Sequence, residues 1–239
     1  MTGFSTMRAW IRRTGSSELL SLIGGESVND ARTWELIHAE RAAMADTLAG
    51  LTPRQWAEPS LCAGWSGQVT AGHILDGAEQ TPARFMKSMT ANLFRFNTMM
   101  DRVARRTGAL PPIEIIERLR VTAGTTNHPP APVMAMLGEI VVHGEDIRRP
   151  LGLPGHADTE AIVRCLDMFS RANFPVGGKK RIAGLRLVAS NLDWSINDGP
   201  EISGPGLSLL LAMVGRQAGL EDLTGSGVGE LRRRMVAAA

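Results

Sequence analysis

The sequence predicts a mainly α protein with a small α+β segment at its carboxy-terminal end. Up to about residue 150, apolar residues recur at helical spacing between capping and breaking signals. From Leu185 onward the pattern changes to period 2, with Leu185, Leu187 and Ala189 alternating. With 239 residues, 44% of them hydrophobic, the chain can fill one large core or two modest ones.

The expected elements follow from local signals. Residues 1–28 read as an extension or short extra helix; Leu19-Leu20-Ser21-Leu22-Ile23 is too short and interrupted for a signal peptide. A first long helix runs from a candidate cap at Asp30 to Ala49, with Trp34, Ile37, Met44 and Leu48 inward and Gly50 as its stop. Thr52, Pro53 and Gln55 have the spacing of a capping box. A second helix starts after Ser66 and runs into the eighties, with Pro82 as a kink or restart, and Phe85 to Met100 continues helically as core. Pro111-Pro112 open a third helix, about 112–123, with Ile113, Ile116, Leu119 and Arg120 on one stripe.

The Pro- and Gly-rich segment from Gly124 to Pro132 is a loop, and the next helix ends at Arg149-Pro150. A linking helix from Asp158 to Asn173 leads to strands at Leu185–Ala189 and Leu192–Ile196 and a helix from Leu207 to Ala218. The expected division is therefore an extension (1–28), a helical domain (29–153), a linker (154–181) and a small α+β domain (182–239).

Charge excludes some functions. A net charge of +2 and short, scattered basic clusters give no field for nucleic acid, and no stretch approaches the roughly 20 apolar residues of a membrane span. Cys62 and Cys165 lie far apart without metal or redox spacing, so a reducing cytoplasm is the simplest compartment.

The chemistry is concentrated in Glu139-Ile140-Val141-Val142-His143. Four-residue spacing on a helix puts carboxylate and imidazole on one face, a turn apart, within a helix apolar over most of its circumference. A buried carboxylate needs a cation or several donors, so the pair reads either as metal ligands or as a structural pair. His73 is the best placed third ligand, because Ser66 caps its helix and Val69, His73 and Asp76 share a stripe; its alternative is a core histidine bonded to a carbonyl. A His2Glu set would leave a catalytic metal one open position. Asp76 and Asp146 each stand one turn beyond a candidate histidine and could orient it, while Asp146 could equally pair with Arg148 or Arg149 at the helix end. Arg148 and Arg149 could grip a substrate carboxylate, and His38 could line a pocket or sit satisfied in the core. His128 and His156 lie in loop segments and are expected to be solvated. Cys62 reads as structural, since nothing cationic lies near it in sequence.

Four segments in order carry a resemblance: Ile37-His38-Ala39-Glu40-Arg41, Pro59-Ser60-Leu61-Cys62-Ala63-Gly64-Trp65, Gly72-His73-Ile74-Leu75, and Glu139 through Arg149. Together they resemble the mycothiol-dependent maleylpyruvate isomerase family of DinB-like metalloenzymes. The resemblance implies an up-and-down four-helix bundle with a divalent metal, zinc by ligand type, on His73, Glu139 and His143. Residues 182–235 look like the small sterol-carrier-protein-like domain that many members carry. The implied activity is thiol-dependent transfer or isomerisation. Mycothiol is the co-substrate and the partner a small electrophile; in the reaction that names the family the thiolate adds to maleylpyruvate, rotation follows and elimination gives the trans isomer. A non-catalytic metal- or small-molecule-binding protein and a metal-dependent hydrolase remain as alternatives. The protein is expected to be a monomer or homodimer without nucleic-acid or membrane partners.

Overall fold

The computed structural model describes residues 28–173 and 176–236; apart from Val28, the extension expected over 1–28 lies outside them. Helix α1 (Val28–Ala49) carries Asp30 in its first turn rather than at its cap, and buries Trp34, Ile37, Met44 and Leu48. The capping box forms at the start of α2 (Pro53–Ala57), where the Thr52 hydroxyl accepts from the Gln55 N–H. In α3 (Gly67–Glu79) the Ser66 hydroxyl accepts from Val69 N–H.

Pro82 restarts the chain rather than kinking it. Gln80 and Thr81 are extended, and α4 (Pro82–Ala91) begins under a Thr81 cap, because a residue preceding proline is driven out of the helical region. The helix expected to continue to Met100 also breaks. Asn92 caps α4, Leu93 and Phe94 take φ of 53° and 57°, and α5 (Phe96–Gly108) starts anew. The apolar residues are core, as expected: Met89, Met99 and Val103 form a satellite cluster joined by Phe85, Phe96 and Met100.

Helix α6 (Pro112–Thr122) turns its stripe by a residue: Ile115, Ile116 and Leu119 are buried while Ile113 is exposed. Helix α7 (Val133–Arg148) ends in a single 3-10 turn at Arg149–Leu151. Helices α6 and α7 both pack on α1, and α3 packs on α5, α6 and α7. The α3–α5 crossing depends on two glycines without side chains, since a Cβ at Gly72 would overlap the backbone nitrogen of Gly108. Close approach of this kind admits only glycine.

Asp158 caps α8 (Thr159–Arg171), which lies on α7 and precedes α9 (Gly178–Arg181). Strands β1 (Arg186–Ala189), β2 (Ser195–Ile196) and β3 (Glu201–Gly204) form a sheet in the order β2-β1-β3, antiparallel between β1 and β2 and parallel between β1 and β3. Leu187 pairs with Ile196 on one side and Ile202 on the other. Helix α10 (Gly206–Met213) stops short of Ala218, because Gly215 turns at φ +95°; a 3-10 turn (Gln217–Asp222) and α11 (Val228–Val236) follow. Neither β3 nor α11 was anticipated. One buried apolar cluster runs from Trp34 to Met235, across the boundary expected near residue 153. Among the described residues no helix is long and apolar enough to cross a membrane.

Candidate metal centre

Helices α3 and α7 pass each other with His73 against His143, their ring centroids 4.7 Å apart and their planes nearly perpendicular. One turn further along α3 stands Gly77, and one turn earlier on α7 stands Glu139. A Cβ on Gly77 would overlap Glu139 Oε1. The carboxylate therefore seats against bare α3 backbone on the face that carries His73, and the three residues converge from antiparallel helices. Among the described residues no hydrogen bond to that carboxylate is seen.

The charge states follow from burial and neighbours. Burial, followed by the nearby His143, drives the His73 pKa well below its ordinary value, so this imidazole is neutral. Burial pushes Glu139 up to about 7 against the opposing pull of His143 and Arg41. For His143 burial works the other way, but the bonds to Asp146 and Cys62 outweigh it and push the imidazole up to about 10. An unpartnered half-buried carboxylate, one neutral histidine and one histidine fixed from behind thus lie at the α3–α7 contact.

A second layer fixes His143. Its Nδ1 lies 2.8 Å from Asp146 Oδ2, which leaves Nε2 as the ring nitrogen for a ligand. Asp146 has no solvent exposure; Arg216 grips it as a fork, with Nε 2.9 Å from Oδ1 and Nη2 2.7 Å from Oδ2. The bonds from Arg216 and His143 overcome burial and hold Asp146 well below the usual carboxylate range. The Cys62 thiol donates to Asp146 Oδ2 at 3.0 Å and lies 3.4 Å from both His143 Nδ1 and Arg216 Nη2. The loop that bears Cys62 is tied to α7 by Leu61 N–H to Asp146 O, and it sets the Trp65 ring 5.3 Å from His73. Among the described residues Cys62, His143 and Asp146 are the group of potential ligands whose atoms all lie within 4.8 Å of one another; His73 and Glu139 are not part of it. The Arg216 fork already neutralises this carboxylate at both oxygens, so the group reads as the support of His143.

Arg216 has no signal in the sequence. It lies 70 residues beyond Asp146, and only the docking of the turn after α10 brings it there. It also supplies the cation beside Cys62 that local sequence lacked. The other expected residues are placed elsewhere. Asp76 accepts from Gln80 Nε2 at 3.1 Å rather than from His73. Arg148 is buried against Thr47 and Glu145, while Arg149 pairs with Asp222 at 2.6 Å, so both forks are committed within the protein. His38 Nε2 lies 3.2 Å from Thr125 O with its ring stacked on Trp34. His156 is exposed, whereas His128 is half-buried beside Trp34 rather than solvated.

Comparison with known proteins bears on the fold. Residues 37–128 match the family described as the mycothiol maleylpyruvate isomerase N-terminal domain. The fold is similar to a crystal structure of the mycothiol-dependent maleylpyruvate isomerase, with TM-score 0.55 and 16% identity over 82% of this chain and 92% of that one. A histidine-to-alanine variant of that enzyme gives TM-score 0.54 and 15% identity over the same shares. No curated protein sequence matches the chain. Residues 37–128 thus match the amino-terminal domain described for mycothiol maleylpyruvate isomerase, and the likeness to the two solved structures is one of fold.

Proposed function

We propose that the protein is a metal- and thiol-dependent enzyme that transfers a low-molecular-weight thiol, mycothiol, to a small electrophile or isomerises that electrophile through thiol addition. The carrying observation is the convergence of His73 and His143, rings 4.7 Å apart, with the Glu139 carboxylate seated at Gly77. In this reading His73, Glu139 and His143 hold the ion, which supplies Lewis acidity that lowers the pKa of a thiol or water at the remaining position. The residues around it do the rest. Asp146, held by Arg216, keeps His143 in the tautomer that presents Nε2, and the Trp65 ring stands 5.3 Å from His73. A thiol near pKa 8.5 is mostly protonated at neutral pH, so lowering it supplies the nucleophile.

The finer architecture belongs to the same reading. Helices α1, α3, α6 and α7 pack in a cycle, which supports an up-and-down four-helix bundle of DinB-like type over residues 29–153. The small sheet with α10 and α11 supports a sterol-carrier-like carboxy-terminal domain. A cytoplasmic location is consistent with the two free cysteines.

The test is zinc content of the purified chain, followed by thiol consumption with mycothiol and maleylpyruvate or other electrophiles. One ion per chain, lost in His73→Ala, and thiol consumption abolished by chelation are expected. Full metal content in His73→Ala and Glu139→Ala would overturn the ligand set, and full-rate hydrolysis without any thiol would decide for water activation.

A further inference from the structure

Six of the 26 basic residues lie in the α4–α5 hairpin, residues 82–108, and Asp101 is its only acid, although the chain as a whole nearly balances its charges. Arg84 and Lys87 from α4 and Arg102 and Arg106 from α5 face each other across a half-open cleft of about 390 Å³, with Ser88 and Asn92 between them. The cations are poorly matched by acids. Arg84 reaches Asp76 and Glu79 only at 3.7 and 3.5 Å, and Glu79 is already gripped by Arg118. Arg102 bonds the neutral amide of Asn92. Among the described residues Lys87 and Arg106 have no acid within 4.0 Å, although the Arg106 charge acts on the buried Asp76 carboxylate from farther off.

Like charges lining a concave wall reinforce one another's field and concentrate anions there. Here the wall is held in place. The satellite core of Met89, Met99 and Val103 lies beneath it, and the turn joining the helices is closed by Phe94 N–H to Met89 O and Arg95 N–H to Asn92 O, with Leu93 and Phe94 in the left-handed region. Such backbone is costly for bulky residues and persists where the surroundings fix it.

We propose that this cleft binds a small molecule bearing a phosphate dianion, gripped by guanidinium and ammonium groups from both helices and by the Ser88 hydroxyl. Four cations suit a dianion better than a monocarboxylate, and guanidinium forks match tetrahedral oxyanions. The concave shape and volume favour a soluble phosphate ester over an extended polyanion. The site is separate from His73, Glu139 and His143, so it stands or falls independently of the metal reading.

The experiment is calorimetric titration of the full chain with glycerol phosphate and with inorganic phosphate, in parallel with Lys87→Gln/Arg106→Gln. Both residues are exposed and outside the metal centre, so the double variant is expected to fold and keep its metal. Binding at about 1 mM or tighter is expected, weakened at least tenfold in the variant. No binding, or equal binding by the variant, overturns the proposal. So does binding confined to vesicles of phosphatidylglycerol or to duplex DNA, which would assign the charge to an extended surface.

Discussion

Arg216 and Asp146, 70 residues apart, form a two-bond fork across the seam between the amino-terminal helices and the carboxy-terminal segment. Removing one member of such a buried pair leaves the other charge undercompensated, here with only His143 and the Cys62 thiol to answer Asp146, which costs more than the pair itself contributes. Arg216→Ala is therefore expected to destabilise the protein by about 3–5 kcal/mol, lowering the midpoint of a protein this size by roughly 10 °C. A thermal melt checks this; an unchanged midpoint would show that water replaces the guanidinium.

Glu139 is expected to be kept at the expense of metal-free stability. Its ordinary value of 4.5 rises to about 7 on folding, so the folded state holds the proton more tightly. Stability then falls as pH rises from about 4.5 through 7, and the penalty is fully present above that. Glu139→Gln should stabilise the metal-free protein at pH 8 by on the order of 2 kcal/mol and leave it unchanged at pH 4, while removing metal binding. Urea melts at the two pH values read the difference; equal effects at both would contradict it.

Metal affinity should rise with pH. In the metal-free protein His143 holds its proton up to about pH 10 and Glu139 up to about 7, whereas His73 is already neutral. Binding must displace those protons, one between pH 7 and 10 and a second toward pH 5. Competition titrations with a chromophoric chelator should give about tenfold tighter binding per pH unit between 7 and 9. A flat profile would place the ion elsewhere.

Gly77→Ala separates site from stability. Alanine favours helix over glycine by about 1 kcal/mol, yet its Cβ takes the space of Glu139 Oε1. The carboxylate can swing aside, so the expected result is unchanged or higher metal-free stability with metal affinity reduced tenfold or more. Unaltered affinity would show that Glu139 does not need that seat.

A chain ending at residue 153 is expected to stay helical and bind the ion, because His73, Glu139 and His143 all precede that point. Its stability should be lower, since Asp146 loses Arg216 and Gly138 loses the cover of Met168 and Phe169. Circular dichroism and metal titration of that fragment decide it. A non-cooperative melt would mean that the carboxy-terminal segment completes the core.

The sequence by itself determined what depends on near neighbours. The Thr52 and Ser66 caps, the stop at Gly50 and the i, i+4 placement of Glu139 and His143 on one face are local, set by backbone hydrogen bonding and helical period. The break at Asn92–Arg95 was hidden, because Leu93 and Phe94 carry no turn signature; turn hydrogen bonds to Met89 and Asn92 close it, beside the cluster of Met89 and Met99. Arg148 and Arg149 looked like open forks until Thr47, Glu145 and Asp222 arrived from other elements. For Asp146 the sequence left support of His143 and a pair with Arg148 or Arg149 equally open, and only the tertiary structure chose the first and added the Arg216 fork. Long-range pairs of this kind are chosen by how the faces dock, and sequence spacing holds no record of which distant charge reaches a buried carboxylate first.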